Sequence, residues 1–465
     1  MELRATAWKQ IAELFRDEGT PREAIEAYRF NYRRWADGEK GWIPESSIEP
    51  VVNLPRLEEL GSEYAEIGQE HRSHVVVLKL NGGLGTSMGL TQPKCLLPAK
   101  DGYTFLEITV GHARHLGVPF LLMNSFATEE ATRQAIERLE IPSQAVPVFF
   151  QQHRVPKLDP DSGTPIHWPR DPDKAWCPPG HGDLYTTLRT RGILAQLLEA
   201  GIRYAFVSNI DNLGATLDLA LLGYLAKKNL PFVMEVTHRT SSDRKGGHLA
   251  RNKEGHLILR EVAQCPPEDL AQFQDVKRHR FFNTNNLWLN LEAVEEKLDR
   301  YGGFFPLPLI VNRKPVDPAD PESPPAIQLE NAMGAAISLF EHGAAVEVPR
   351  HRFLAVKTCN DLLVVRSDAT VLTKDFLVLP NPDRPFPDLP TVSLDERYYR
   401  LLADFDARFP DTPPSLLRCT ELTVTGDIMF EAPVICEGEV ELVNRGCSQV
   451  VLRHPVRLSG RRTWP

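Results

Sequence analysis

The sequence predicts an α/β chain: a doubly wound, mixed but mostly parallel sheet, with a helical segment before it and a coil of short strands after it. Two textures carry that reading. From Val75 onward, short continuous apolar runs alternate with helix-length amphipathic stretches, as in strands covered on both faces by crossover helices. Near the C-terminus, aliphatic residues recur every six positions at Leu422, Ile428, Val434 and Val440. Such a period marks a triangular β-helix coil in which each flat side is one short strand, a hairpin meander being the other arrangement that fits.

Taken in order, Thr20, Pro21 and Glu23 read as a helix start, with a hydroxyl cap, a first-turn proline and a carboxylate three residues after the cap. That helix is expected to run to about Asp37 and to end at Gly38. Residues 43–56 hold Pro44, Pro50 and Pro55 and read as an extended connector. Strands are predicted at Val75–Leu80, Phe120–Met123, Val146–Phe150 and Tyr204–Ser208, and helices at Glu129–Leu139 and Thr187–Ala200. A proline-rich passage, Leu379–Pro390, precedes the six-residue repeat, which breaks near Asn444–Gly446 and returns with Val450 and Val456. These shifts divide the chain into an N-terminal helical segment, 1–70, a central domain, 71–365, and a C-terminal domain, 366–465.

Composition narrows the function. The chain has 465 residues, 42% of them hydrophobic, and a formal net charge of -9. That charge argues against a general grip on nucleic-acid backbone, so any bound nucleotide must be met by locally placed cations. Seven scattered cysteines without a CxxC pair fit reduced core thiols. Lys9, Glu13 and Arg16 interrupt any apolar signal core, and no apolar run is long enough to span a membrane. A cytoplasmic protein without a membrane partner is expected.

The most informative segment follows the first strand: Leu80-Asn81-Gly82-Gly83-Leu84-Gly85-Thr86-Ser87-Met88-Gly89. Its glycines allow sharp turning and close approach, and backbone N–H groups in such a turn converge on anions. A helix opened by the turn would add its N-terminal field. The segment is no P-loop, and it departs from the dinucleotide fingerprint because Thr86, Ser87 and Met88 separate Gly85 from Gly89. Instead a Pro93-Lys94 pair follows, whose lysine can curl back and place a point charge on phosphates held by the glycines.

This run resembles that of the eukaryotic-type UDP-glucose pyrophosphorylases, within the sugar nucleotidyltransferases. The likeness continues through Met123-Asn124-Ser125-Phe126, Pro178-Pro179-Gly180-His181-Gly182-Asp183 and Val207-Ser208-Asn209-Ile210-Asp211-Asn212-Leu213-Gly214-Ala215-Thr216. Met234-Glu235-Val236-Thr237, Lys245-Gly246-Gly247, Phe282-Asn283-Thr284-Asn285-Asn286-Leu287-Trp288, Ile327-Gln328-Leu329-Glu330 and Phe353-Leu354-Ala355-Val356-Lys357-Thr358 complete it, in family order. The resemblance implies a Rossmann-like nucleotidyltransferase core and a C-terminal left-handed β-helix. It also implies transfer of UMP from UTP to glucose 1-phosphate with Mg2+.

Such a reaction joins two anionic reactants, so positioning and charge neutralisation dominate and no protein nucleophile is needed. Asp211, at the carboxyl end of an apolar strand, stands where open α/β sheets place ligands, and a carboxylate there can hold Mg2+. By resemblance Asp211 is the metal ligand, Lys94 and Lys357 are the catalytic lysines, and Asn209 and Ile210 line the sugar phosphate. Leu80, Asn81, Gly82, Gly83 and Gly180 would contact the nucleotide, and His181 would donate to a sugar phosphate. Gln152 matches the family glutamine that reads the uracil edge, with Gln151 standing where the family usually has asparagine. Glu235, Asn283 and Asn285 are candidates for the sugar hydroxyls, since carboxylates and amides pair with such groups.

UDP-N-acetylhexosamine and broad UDP-sugar pyrophosphorylases resemble the chain more loosely, and a catalytically dead nucleotide-binding scaffold is the reading from another class. The end at Arg461-Arg462-Thr463-Trp464-Pro465 is shorter than the family's usual last coil, which predicts a monomer or weak homo-oligomer.

Overall fold

The computed structural model describes residues 2–139, 141, 144–318, 320 and 322–465. Two helices, Glu2–Asp17 and Arg22–Ala36, open the chain. Thr20 does not cap the second of them: Pro21 occupies the cap position with ψ 147°, and no side chain caps the helix. Gly38 follows at φ 91°, as expected. Ile11, Phe15, Tyr28 and Tyr32 pack on Val155, Leu158, Ile327 and Leu329, which seats the helical pair on the central domain.

The connector is extended as predicted, and its Ile48–Pro50 stretch joins the main sheet antiparallel to His248–Asn252. That sheet has ten strands. Phe149–Gln151, Phe120–Asn124, Val75–Asn81 and Tyr204–Asn209 lie side by side and parallel. Beyond them the sheet turns antiparallel through Phe281–Asn290, which pairs with Tyr204–Asn209, Phe232–His238 and His248–Asn252. Alternation along Val75–Asn81 feeds both faces: Val75 and Val77 join one core cluster, Val76, Leu78 and Leu80 the other.

Two predicted elements are shorter than their apolar runs. The strand expected at Val146–Phe150 is reduced to Phe149–Gln151. The Gln144 side chain instead meets Phe120, accepting from its N–H at 3.1 Å and donating to its carbonyl at 2.9 Å. Residues 187–200 form parts of two helices, Leu184–Thr190 and Ile193–Glu199, because Gly192 between them adopts φ 70°. The helix from Glu129 stops at Ile136.

At the C-terminal end, Thr391–Leu394, Ser415–Thr425, Val434–Asn444 and Val456–Trp464 form one parallel sheet, and Ile428–Phe430 pairs in parallel with Val450–Leu452. Leu422, Ile428, Val434 and Val440 are all buried. Leu422 lies opposite Val440, three six-residue steps on, whereas Ile428 meets Val450 and Val434 meets Val456, four residues beyond that repeat. The surplus is a corner loop after Asn444, whose amide donates to the Asp427 and Ser448 carbonyls at 2.7 and 2.8 Å. All seven cysteines are free, and Cys447 alone is exposed. Among the described residues, no helix is long and apolar enough to cross a membrane.

Candidate active site

The chain runs from Val75–Asn81 outward to Phe120–Asn124 and Phe149–Gln151, then crosses back to pair Tyr204–Asn209 on the other side. Order therefore reverses at Val75–Asn81, and ligands of open α/β sheets sit beyond the carboxyl ends at such a point. A cleft of ≈ 290 Å³ opens there. Leu80, Asn81, Gly82 and Gly83 line it from one strand end, and Asn209, Ile210 and Asp211 from the next. Lys94, Gln152, Gly180, His181 and Lys357 complete the predicted part of the wall; Met123 and Pro178 also contribute and were not singled out.

The glycine run makes a loop, not a helix start. Gly85 and Gly89 take φ 73° and 72° around a single 3-10 turn, Thr86–Met88, so the glycine run itself presents no α-helix N-terminus to the cleft. Lys94 does return to the loop, its N–H donating to the Gly83 carbonyl at 3.3 Å. Gly82 leaves room for Gln152: a Cβ there would lie 3.1 Å from Gln152 Nε2.

Asp211 gathers the cations. Lys94 Nζ donates to its Oδ2 at 2.8 Å and to the Val356 carbonyl; Lys357 Nζ reaches Oδ1 at 3.0 Å and Oδ2 at 2.8 Å. Burial alone would raise the Asp211 carboxyl, but the Lys357 and Lys94 ammoniums outweigh it and hold it below its ordinary value. The lysines differ, with side chains 9% and 54% exposed for Lys94 and Lys357. Lys357 is set by its backbone, which donates to Asp361 Oδ2 at 2.8 Å as the helix Cys359–Arg366 begins.

His181 is fixed as a neutral donor. Its Nδ1 accepts from the Met333 N–H at 3.0 Å, which leaves the proton on Nε2. Burial, helped by Lys357, pushes its pKa down to about 4. Behind it, Asp183 accepts from the His153 N–H at 2.9 Å and meets its ring at 2.9 Å, tying the turn after Gly180 to the residue after Gln152.

The sequence model of UTP–glucose-1-phosphate uridylyltransferase matches residues 26–437. The chain belongs to that family. A probable UTP–glucose-1-phosphate uridylyltransferase of Schizosaccharomyces pombe is 38% identical over 86% of this chain and 78% of its own length. The UTP–glucose-1-phosphate uridylyltransferase of Encephalitozoon cuniculi is 38% identical over 90% and 83%. Among solved structures, a mutant UDP-glucose pyrophosphorylase from Leishmania major in complex with UDP-glucose superposes with a TM-score of 0.90, at 39% identity over 98% and 99% of the two chains.

Within the family frame, the sugar-side predictions separate. Phe281–Asn290 carries a bulge against Phe232–His238, between Asn283 and Asn286, where Asn285 takes φ 62°. There Asn285 Nδ2 donates to Asn209 Oδ1 at 3.1 Å, and the Asn285 N–H to Asn283 Oδ1 at 2.9 Å, which joins both asparagines to the cleft wall. Glu235 does not reach it. It is fully buried, and its oxygens accept from Trp288 Nε1, Asn286 Nδ2 and both arms of the Arg352 fork at 2.7–3.0 Å. Nothing of that carboxylate is left for a sugar hydroxyl.

Glu261, beside Asn283, was not among the sequence candidates. It hydrogen-bonds Asn283, and burial lifts its carboxyl to about 7 against that bond. Gly247 makes the room: a Cβ there would lie 2.5 Å from Glu261 Oε1. The Lys245-Gly246-Gly247 block was the available signal, a glycine pair that marks a close approach without naming what approaches.

Proposed function

We propose that this cleft makes UDP-glucose and pyrophosphate from UTP and glucose 1-phosphate. A sugar-phosphate oxygen forms the new bond to the α-phosphorus while the bond to the bridging oxygen breaks in line, and pyrophosphate leaves with that electron pair. The observation that carries the reading is the meeting of Lys94 and Lys357 on Asp211 at the open end of the glycine loop. Two ammoniums held about one contact apart by a carboxylate are preorganised for phosphate oxygens, which is where charge must be offset in phosphoryl-type transfer.

The remaining residues take roles that their chemistry permits. Gln152, against Gly82, offers one donor and one acceptor to the uracil edge. Gly180, at φ 83°, lets the backbone come close to the base. The Nε2–H of His181 donates to a phosphate oxygen and stays a neutral donor through the physiological range. Asn285, bonded to Asn209 on the cleft wall, and Asn283 and Glu261 linked behind it would present amides and a carboxyl group to sugar hydroxyls.

Asp211 is the carboxylate on the cleft wall, shared with Lys94 and Lys357, and Mg2+ takes most of its ligands from phosphates and water, so one carboxylate would be enough for it. Asp211 is the residue that would hold it, and when bound the ion supplies positive charge to the phosphate oxygens. The C-terminal parallel coils we read as a left-handed β-helix. We read the enzyme as a cytoplasmic monomer or weak homo-oligomer, and a stable octamer by light scattering would overturn the assembly part.

Pyrophosphate release from UTP with glucose, galactose and N-acetylglucosamine 1-phosphates tests the function. Turnover strongest with glucose 1-phosphate is expected. Preference for the N-acetyl sugar would replace the substrate, and UTP binding without turnover would leave a scaffold.

A further inference from the structure

The buried groups behind the cleft include one assembly that the reaction above does not use. Residues 211–214 and 352–356 lie antiparallel, bridged at Asn212 and Ala355. The Val356 N–H donates to the Asp211 carbonyl at 3.0 Å, and the Leu213 N–H to the Leu354 carbonyl at 3.1 Å. This pairing sets the spacing between Asp211 on one segment and Lys357 on the other.

Asn212, 2% exposed, closes the pairing from the side. Its Oδ1 accepts from the Leu354 N–H at 2.8 Å and the Gly214 N–H at 3.2 Å. Its Nδ2 donates to the Arg352 carbonyl and to Asn286 Oδ1, both at 3.2 Å. Arg352 is held in turn: Nε and Nη2 meet the two Glu235 oxygens at 2.8 and 2.7 Å, and Nη2 also donates to the Thr216 carbonyl at 2.8 Å. Trp288 and Asn286 complete the Glu235 shell.

A buried ion pair is weak support for stability, because desolvation offsets most of its attraction. Its use here is geometric. Arg352 anchors the segment that ends in Lys357, and Asn212 anchors that segment to the loop that carries Asp211. We infer that Asn212, with the Arg352–Glu235 pair behind it, is a positioning assembly that sets Lys357 against Asp211 for turnover. Neither Asn212 nor Arg352 lines the cleft, so both act through the lysine. The inference rests on the reading of Lys357 given above.

Asn212→Ala and Arg352→Lys test it, each made in the native chain and in a Lys357→Met background. Arg352→Lys keeps the charge on Glu235 but gives up the fork, so it supplies a foldable second variant. A displacement on the order of 1 Å at a reacting group costs up to about 100-fold, so kcat is expected to fall ~10–100-fold in the native background. In the Lys357→Met background the same substitutions should cost severalfold less than in the native one, what remains passing through Asp211 and the Val356 carbonyl to Lys94. UDP-glucose affinity, measured by calorimetry, should stay within about threefold of the parent. Equal losses in both backgrounds, no loss in the native one, or a loss confined to KM for UTP would overturn the inference. If Lys357→Met alone keeps full turnover, the role given to the lysine fails first, and the assembly loses its object with it.

Discussion

Replacing Lys357 by methionine separates chemistry from folding, and both magnitudes follow from where the side chain sits. Its head is exposed, and Lys94 keeps its own 2.8 Å contact with Asp211 after the change. The folded state therefore loses one solvent-screened ion pair, worth about 0–1 kcal/mol. At about 2.1 cal/mol/K of unfolding entropy per residue over 465 residues, that is a Tm change of about 1 °C or less. In the reaction, the same ammonium is a preorganised charge aimed at phosphate oxygens, and removing one such group costs about 2.7–4 kcal/mol, or about 10²–10³ in kcat. Thermal melts by circular dichroism and pyrophosphate-release kinetics on one preparation measure both. A loss of several degrees with kcat intact would show that the lysine serves the fold, and the reasoning would fail.

Lys94→Met should behave differently, since its head is buried and also serves the Val356 carbonyl: a loss of about 1–3 kcal/mol of stability beside the loss of activity, read by urea unfolding. Gly180→Ala is expected to destabilise by more than about 1 kcal/mol and to disturb the His181 turn, because φ is 83° and the new Cβ would lie 2.4 Å from the Asn331 carbonyl oxygen. His181 is held at about 4, below the ordinary 6.5, so the unfolded chain takes up this proton first as pH falls. The stability that it contributes is present above pH 6.5 and is lost between 6.5 and 4; His181→Asn should flatten that slope in unfolding titrations across the window. The Glu261 carboxyl, lifted to about 7, changes charge near neutrality, so KM for glucose 1-phosphate should vary between about pH 6 and 8, and Glu261→Gln should remove that variation.

What the sequence made legible follows the range of the forces involved. Val75–Asn81 and Tyr204–Asn209 could be read because both faces of each are largely buried and most positions are apolar, with Lys79, Asn81, Ser208 and Asn209 the exceptions near their carboxyl ends. The cleft residues could be read because glycine, lysine and aspartate stand in short fixed blocks beside those strands. Gln144 replacing part of a strand, or Gly192 dividing a helix, depends on one side chain or one φ value, and an apolar pattern does not encode either. Glu235 shows a deeper limit. Carboxylate chemistry fits a sugar hydroxyl and a buried guanidinium equally well, and only Arg352, 117 residues away in sequence, decides between them. Glu261 is the converse case: nothing beside it in sequence marks it, and its partner Asn283 arrives from a distant strand.

The charge arrangement also explains how a chain of net charge -9 can gather anionic reactants. Exposed charges farther away than a Debye length, about 8 Å at physiological salt, are largely screened, so the cleft responds to what lies within it. There two ammoniums face one carboxylate, leaving a local excess of one positive charge before substrate arrives. Asp211 makes that excess tolerable. It holds the two like charges together in a partly buried place, where they would otherwise repel each other. On the proposed reading, the triphosphate enters as a second and stronger anion for lysines already assembled. Lys94, pinned by Val356 and Asp211, is the fixed half of the pair, and the exposed Lys357 is the half with freedom to transfer its contact. The positioning assembly of Asn212 and Arg352 stands behind the segment that carries Lys357, the lysine whose head no backbone carbonyl holds among the described residues.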